Sequence, residues 1–310
     1  MLRASLTIVI ILAAACSESP APSSAPTNTN ASVGVVMVGD EDGGDLARRA
    51  ALLPAGSRVF RGGHRGVDAL ADMIARPGGL AVVDTRAIAG ELLDGAMPRL
   101  EEQVPVARLA SAPLVVAVAP RSPLADAAAL KKKLADDPSS LRFAGAEIGS
   151  IEHEVAALLV KDSENGAGAL VYAAYGSAGD AANGVSSGQS DVLVARYADV
   201  KTSLASGAIR ALGIATDTRV PGIDLPTLRE SKIEVAVPDW SLLVAPASIS
   251  PARLADLRAL VEHTRASPQW AEAIRANGWI DDATTQGLTT FLGSQYSRAT
   301  SLYAQLGLRR

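Results

Sequence analysis

Few side chains in this sequence are of the kinds that carry chemistry. It has three histidines, His64, His153 and His263, and one cysteine, Cys16. No two histidines stand at metal-ligand spacing. The run "IEHE" sets Glu152, His153 and Glu154 side by side. Neighbours along a helix point in different directions, so this is no metal motif. "GVSSG", 184 to 188, matches the pattern of a hydrolase nucleophile elbow. That elbow needs a strand before the serine and a helix after it. Here an alanine-rich stretch precedes and the apolar run "DVLVA" follows, so Ser186 and Ser187 read as a helix end and turn. No phosphate loop occurs, and "GGHRG" at 62 to 66 is badly spaced for a dinucleotide fingerprint. "GDEDGGD", 39 to 45, lacks the closing glutamate of a calcium loop, which leaves calcium a minor alternative. No metal, no cofactor and no enzymatic activity are expected.

Binding chemistry remains, and it belongs to glycine-bearing turns. "GDEDGGDLARR", 39 to 49, follows the apolar run "VGVVMV" and opens a helical stretch. A helix N-terminus offers unpaired N–H groups and positive dipole character to an anion. This turn instead carries Asp40, Glu41, Asp42 and Asp45, which repel an anion and would accept an ammonium group. Two further turns, "AEIGSIEH" and "YGSAGD", stand in comparable places.

Those turns need strands and helices to hold them. Short apolar runs at 33–38, 57–61, 79–84, 113–119, 141–146, 168–174, 190–195, 209–215 and 240–246 read as strands. Amphipathic stretches at 45–53, 66–75, 86–94, 124–135, 150–161, 178–187 and 197–205 read as helices, and the pattern is purely helical after Ser250. The alternation predicts an α/β architecture with sheets covered on both faces, and ligands then sit beyond the carboxyl ends of the strands.

The chain has 310 residues, 48% hydrophobic and 20% charged, with net charge −4. That fits about two domains and excludes the basic field of a nucleic-acid binder. "LKKKL", 130 to 134, is a solvated helix face. At the front, "MLRASLTIVIILAAACSES" has an early arginine, a short apolar run and small residues up to Cys16, the anatomy of an export signal. "LAAAC" resembles a lipoprotein box, with Ala13 where a large aliphatic residue is usual. A lone cysteine in an exported chain makes no internal disulfide, so Cys16 is expected to be lipidated. Residues 1–16 are then signal and anchor, and the proline- and serine-rich stretch 17–32 is a disordered tether.

The second half carries a family pattern. "LASGAIRALGIATDTRVPGIDLPTLRES" and "WSLLVAPASISPARLADLRALV" resemble the substrate-binding receptors of tripartite tricarboxylate transporters, also called Bug receptors. The matching positions are Gly207, Arg210, Arg219, Pro226, Thr227, Glu230, Trp240, Leu243, Ala245 and Pro246. Tyr175, Gly188, Gln189 and Asp191 keep the family spacing upstream, as do Gly149, Ser150 and His153, while Gly145 and Glu147 depart from it. The first loop departs most. Spacing to Asp45 and Arg49 is kept, but Asp40, Glu41 and Asp42 stand where the family has prolines and glycines, and Gly43 and Gly44 are displaced.

The resemblance implies a type II periplasmic-binding-protein fold of two lobes, each a mostly parallel sheet flanked by helices, joined by a hinge the chain crosses twice. One lobe is expected at 33–112 and 222–310, the other at 113–221, with the terminal helices packed on the first. It implies a monomeric receptor on the periplasmic or cell-surface side, lipid-anchored to the membrane. The receptor closes on a small organic acid or amino-acid-like solute and serves a membrane permease of that transporter class. The expected ligand-binding residues are Gly39, Asp40, Asp42, Gly43, Gly44, Asp45, Ala146, Glu147, Gly149, Ser150, Tyr175 and Ser177. Arg210, Arg219 and Glu230 are expected to support the hinge, and Trp240 to lie in a core. The acids of the first loop argue for a solute less anionic than citrate. The alternatives are a sensory or scaffolding lipoprotein that keeps the fold without transport and, more remotely, a secreted hydrolase.

Overall fold

The computed structural model describes residues 35–38, 45–53, 58–61, 66–76, 78–163 and 166–308. The expectations for the leader, Cys16 and the tether lie outside these residues, as do those for Gly39, Asp40, Asp42, Gly43 and Gly44.

Two five-stranded sheets share one strand order. The first is built from β1 (Val35–Val38), β2 (Arg58–Arg61), β3 (Leu80–Val83), β4 (Val104–Arg108) and β10 (Leu242–Ala245), in the order β2-β1-β3-β10-β4. The second holds β5 (Leu114–Val118), β6 (Arg142–Gly145), β7 (Val171–Ala174), β8 (Val192–Arg196) and β9 (Arg210–Ile214), in the order β7-β6-β8-β5-β9. In each, three neighbouring strands run parallel. One strand that has crossed from the other sheet, β10 or β5, pairs antiparallel on both its sides. Strands β3, β5 and β10 are buried along their whole length, as sheets covered on both faces require.

Helices fill the covering layers: α1 (Asp45–Ala50), α2 (Gly66–Ala75) and α3 (Thr85–Asp94) follow β1, β2 and β3. On the second sheet, α4 (Ala127–Asp136), α5 (Ile151–Val160), α6 (Ala178–Ser186) and α7 (Tyr197–Ala205) follow β5, β6, β7 and β8. Three helices close the chain, α8 (Pro251–Arg265), α9 (Pro268–Asn277) and α10 (Leu288–Gln305). Leu130 and Leu134 of α4 are buried while its lysines face solvent.

Every stretch read as a strand contains one, and β4 is an addition. Its sequence, "VPVAR", carries Pro105, which has no N–H to give. Proline is admitted because β4 is an edge strand, paired only to β10 beside a register shift at Leu243 and Val244.

The chain passes between the sheets at 109–112 and again before β10. These crossings bond to each other: Ala112 N–H donates to Asp239 O at 2.9 Å, Asp239 N–H returns to Ala112 O at 2.8 Å, and Leu109 N–H reaches Ser241 O at 3.0 Å. A third strip flanks them, with Ile280 N–H donating to Ser111 O at 2.8 Å and Arg108 N–H to Thr284 O at 2.8 Å. Leu228, Ile233, Val235 and Val237 bury their side chains with β5, β6 and β8 of the second sheet. The terminal helices also divide their contacts. Leu257 and Val261 of α8 pack under the first sheet, whereas α10 touches both α3 and α5.

Candidate functional site

Strands β3 and β6 lead through short turns into α3 and α5, and the turn after β6 meets α3 across the gap between the sheets. The turn after β6, residues 146–150, ends in Ser150, whose hydroxyl caps α5 by accepting from His153 N–H at 3.3 Å. Gly149 holds φ at +90°, and a Cβ there would lie 2.6 Å from the Cβ of Ala89 on α3. Only glycine gives both that backbone and that approach.

The three residues of the "EHE" triplet are all buried, which charged groups accept only when paired. They face three different partners. His153 Nδ1 receives Gly149 N–H at 3.4 Å, and its ring meets the Tyr172 ring edge-on at 4.8 Å. Burial holds the imidazole down to about 4, so it is neutral at ordinary pH. The Tyr172 hydroxyl, pushed up by burial, donates to Ala146 O at 2.8 Å.

Glu154 is saturated. Its Oε1 accepts from Thr85 Oγ1 at 3.0 Å and the Tyr303 hydroxyl at 3.1 Å, and its Oε2 from Arg298 Nε and Nη2 at 3.2 and 3.1 Å. All those donors come from α3 and α10, on the side of the first sheet. Glu154 therefore ties α5 of the second sheet across the gap.

Glu152 belongs to a second cluster. Its Oε1 accepts from Arg196 Nη1 at 2.8 Å, and Arg196 Nε donates to Asp239 Oδ2 at 2.8 Å. The same Oδ2 accepts from Arg49 Nη2 at 2.5 Å, and Arg49 Nη1 reaches Asp239 O at 2.9 Å. Arg49 also pairs with Asp45. Asp45 Oδ1 takes the indole N–H of Trp279 at 2.8 Å and Arg48 Nη2 at 3.0 Å, and Arg48 spans to Asp199 at 3.0 Å. Burial would raise Asp45 and Asp239, but the guanidiniums outweigh it and hold both carboxyls below their usual range. For Glu152 burial wins over Arg196 and its carboxyl is pushed up. Three buried carboxylates face the buried guanidiniums of Arg49 and Arg196, and the half-buried Arg48 brings a third cation to Asp45.

Of the expected site residues, Asp45 lies in this cluster, and Ala146, Glu147, Gly149 and Ser150 share the turn beside it. Glu147 is half-exposed and points toward Arg86 Nη1 at 3.8 Å, where Arg86 also pairs with Asp84 at 2.7 Å. A cavity of about 140 Å³ lies there, lined by Arg86, Leu93 and Asp94 of α3 and by Glu147, Ile148 and Gly149. Tyr175 and Ser177 are engaged within the second sheet's own layer. The Tyr175 hydroxyl lies 3.2 Å from Ser190 Oγ over Gly184, and Ser177 caps α6 through Asp180 N–H at 3.1 Å. Ser186 and Ser187 sit at the end of α6 and donate to Ala182 O at 2.6 Å and Gly184 O at 3.2 Å.

The motif residues downstream make their contacts within the chain. Thr227 and Glu230 form a reciprocal capping box, and Glu230 carries Arg219 at 2.9 and 2.6 Å on the surface. Arg210 ties β9 to Leu124 O at 2.7 Å and Ala125 O at 2.5 Å. Trp240 is buried in the first sheet's core, edge-on to Phe291 at 5.6 Å. Glu152, Arg196 and Asp239 were not legible as a group. Each looks like an ordinary surface charge, and no spacing rule links positions so far apart.

A family model described as the tripartite tricarboxylate transporter family receptor matches residues 97–308. The UPF0065 protein in the tcbD-tcbE intergenic region of a Pseudomonas species is 26% identical over 180 residues. That match covers 56% of this chain and 52% of the relative, so the chain spans about half the relative's length. Among solved structures, MatC from Rhodopseudomonas palustris with bound malate superposes with a TM-score of 0.69 at 20% identity, over 86% of this chain and 97% of that one. An R. palustris protein with adipate gives 0.72 at 17% identity, over 88% and 96%. The periplasmic binding protein BugD gives 0.71 at 18%, over 89% and 97%. At such identities the structural likeness is one of fold, a periplasmic binding protein of two mixed sheets. The family model spans more than half of the sequence, including both crossings and the whole second sheet, and so this chain belongs to the tripartite tricarboxylate transporter family of receptors.

Proposed function

We propose that the chain is an extracytoplasmic receptor, anchored through a lipid on Cys16, that captures a small carboxylate-bearing solute between two lobes. It hands the solute to a membrane permease of the tripartite tricarboxylate type. The observation that carries this reading is the repetition of one strand order in two sheets joined by crossing segments, which puts strand-end turns opposite each other. The lobes are taken as 33–112 with 222–310, and 113–221, except that residues 228–237 pack on the second sheet and go with the second lobe. Binding and closure are the whole function, because a solute that prefers the closed form shifts the population toward it. The likeness to receptors that hold malate and adipate supports a carboxylate as the handle. Backbone N–H groups of the 146–150 turn, beside the N-terminus of α5, suit that charge.

A thermal-shift screen of the full-length chain against malate, adipate, citrate and amino acids tests the reading. A solute held only by the folded chain adds about 2.7 kcal/mol at a hundred times its Kd. At least one of these solutes is expected to raise the melting temperature; no shift with any of them overturns the receptor and favours the sensory or scaffolding alternative. One observation speaks for that alternative. Glu154 already fastens the two sides together with donors of the chain's own.

A further inference from the structure

We propose that the solute carries an amino group as well as a carboxylate, and that Glu152 and Asp239 receive it. The inference rests on the receptor reading above and names the solute class for that same site. Glu152 and Asp239 both bind Arg196, so their carboxylates flank one guanidinium. Each spends one oxygen on it. The other oxygen of each, Oε2 of Glu152 and Oδ1 of Asp239, has no hydrogen-bond partner, although each side chain is only 4% exposed.

Buried polar atoms are almost always satisfied, and a charged one left unmade costs more than a neutral one. Two orphan acceptors on carboxylates that share one guanidinium are the complement of a group that can donate to both. A primary ammonium fits, with three N–H donors and no acceptor. Within the cluster the terminal nitrogens of Arg49 are spent on Asp45 and Asp239, and Nη1 and Nε of Arg196 on Glu152 and Asp239. Burial of the orphans suits a receptor that closes over its solute. Arg49, which shares Asp239 with Arg196, also keeps its buried Nε without an acceptor.

Paired solutes test this by calorimetry on the full-length chain: alanine against propionate, aspartate against succinate, glutamate against glutarate. In at least one pair the amino member is expected to bind roughly tenfold to a hundredfold tighter, the worth of a hydrogen-bonded charge. Glu152→Gln is expected to bring that ratio close to one. Amine-free acids binding as tightly as their partners overturn the inference and leave the receptor intact. A ratio that survives Glu152→Gln overturns the assignment to Glu152, and Asp239→Asn repeats the test should the first variant fail to fold. No binding by either member of any pair overturns the inference, and together with a silent thermal screen it overturns the receptor.

Discussion

Glu152 and Glu154 stand two residues apart on one helix, both buried, and the chain treats them in opposite ways. Glu154 is filled by four donor contacts from Thr85, Tyr303 and Arg298. Glu152 has one donor, Arg196, and an oxygen with none. Saturation marks a carboxylate that holds structure, because every lone pair directed at the chain stabilises one arrangement of it. An orphaned oxygen marks a carboxylate whose burial the fold alone does not offset. The two directions come from helix geometry, since successive side chains are about 100° apart. Glu154 faces α3 and α10, and Glu152 faces Arg196 at the end of β8.

The comparison breaks most decisively at Glu154. Glu154→Ala leaves the buried hydroxyls of Thr85 and Tyr303 and the Arg298 guanidinium without their acceptor. A loss of about 3 kcal/mol is expected in urea unfolding. A loss under about 1 kcal/mol would show that Glu154 is no fastening.

His153 lies between the two acids and gives a pH signature. Its folded value is about 4 against 6.5 when free, so between those values the unfolded chain binds a proton that the folded chain refuses. Stability from this group is therefore complete above pH 6.5 and lost as pH falls toward 4, by up to about 3 kcal/mol. The difference between wild type and His153→Gln across that window isolates it; parallel curves would refute the burial of a neutral imidazole.

The smallest stability effect is expected at Glu152. Glu152→Gln keeps an acceptor for Arg196 and removes an acid whose burial the fold does not offset, so unfolding free energy should change by about 1 kcal/mol or less. A change as large as that at Glu154 would erase the distinction between the two acids.

Strand and helix positions were readable because apolar runs and amphipathic periods are local. The stretches read at 66–75 and 197–205 coincide with α2 and α7 to the residue. β4 was hidden by Pro105, which is tolerated only because its strand is an edge, and being an edge is not a local property. Likewise, "GVSSG" was readable as a helix end, since the order of neighbouring elements decides it.

The sequence by itself determined the family, the α/β class, the glycine-bearing turns and the capping serines, all of which depend on residues within a turn or two of each other. Tertiary structure alone decided which charges meet. Arg49, Glu152, Arg196 and Asp239 come from α1, α5, the end of β8 and the crossing before β10. Their pairing depends on two sheets closing on one another, and burial then decides the energy of each charge. The same closure made one member of "EHE" a fastening, one a neutral ring and one an acid with an oxygen still to fill.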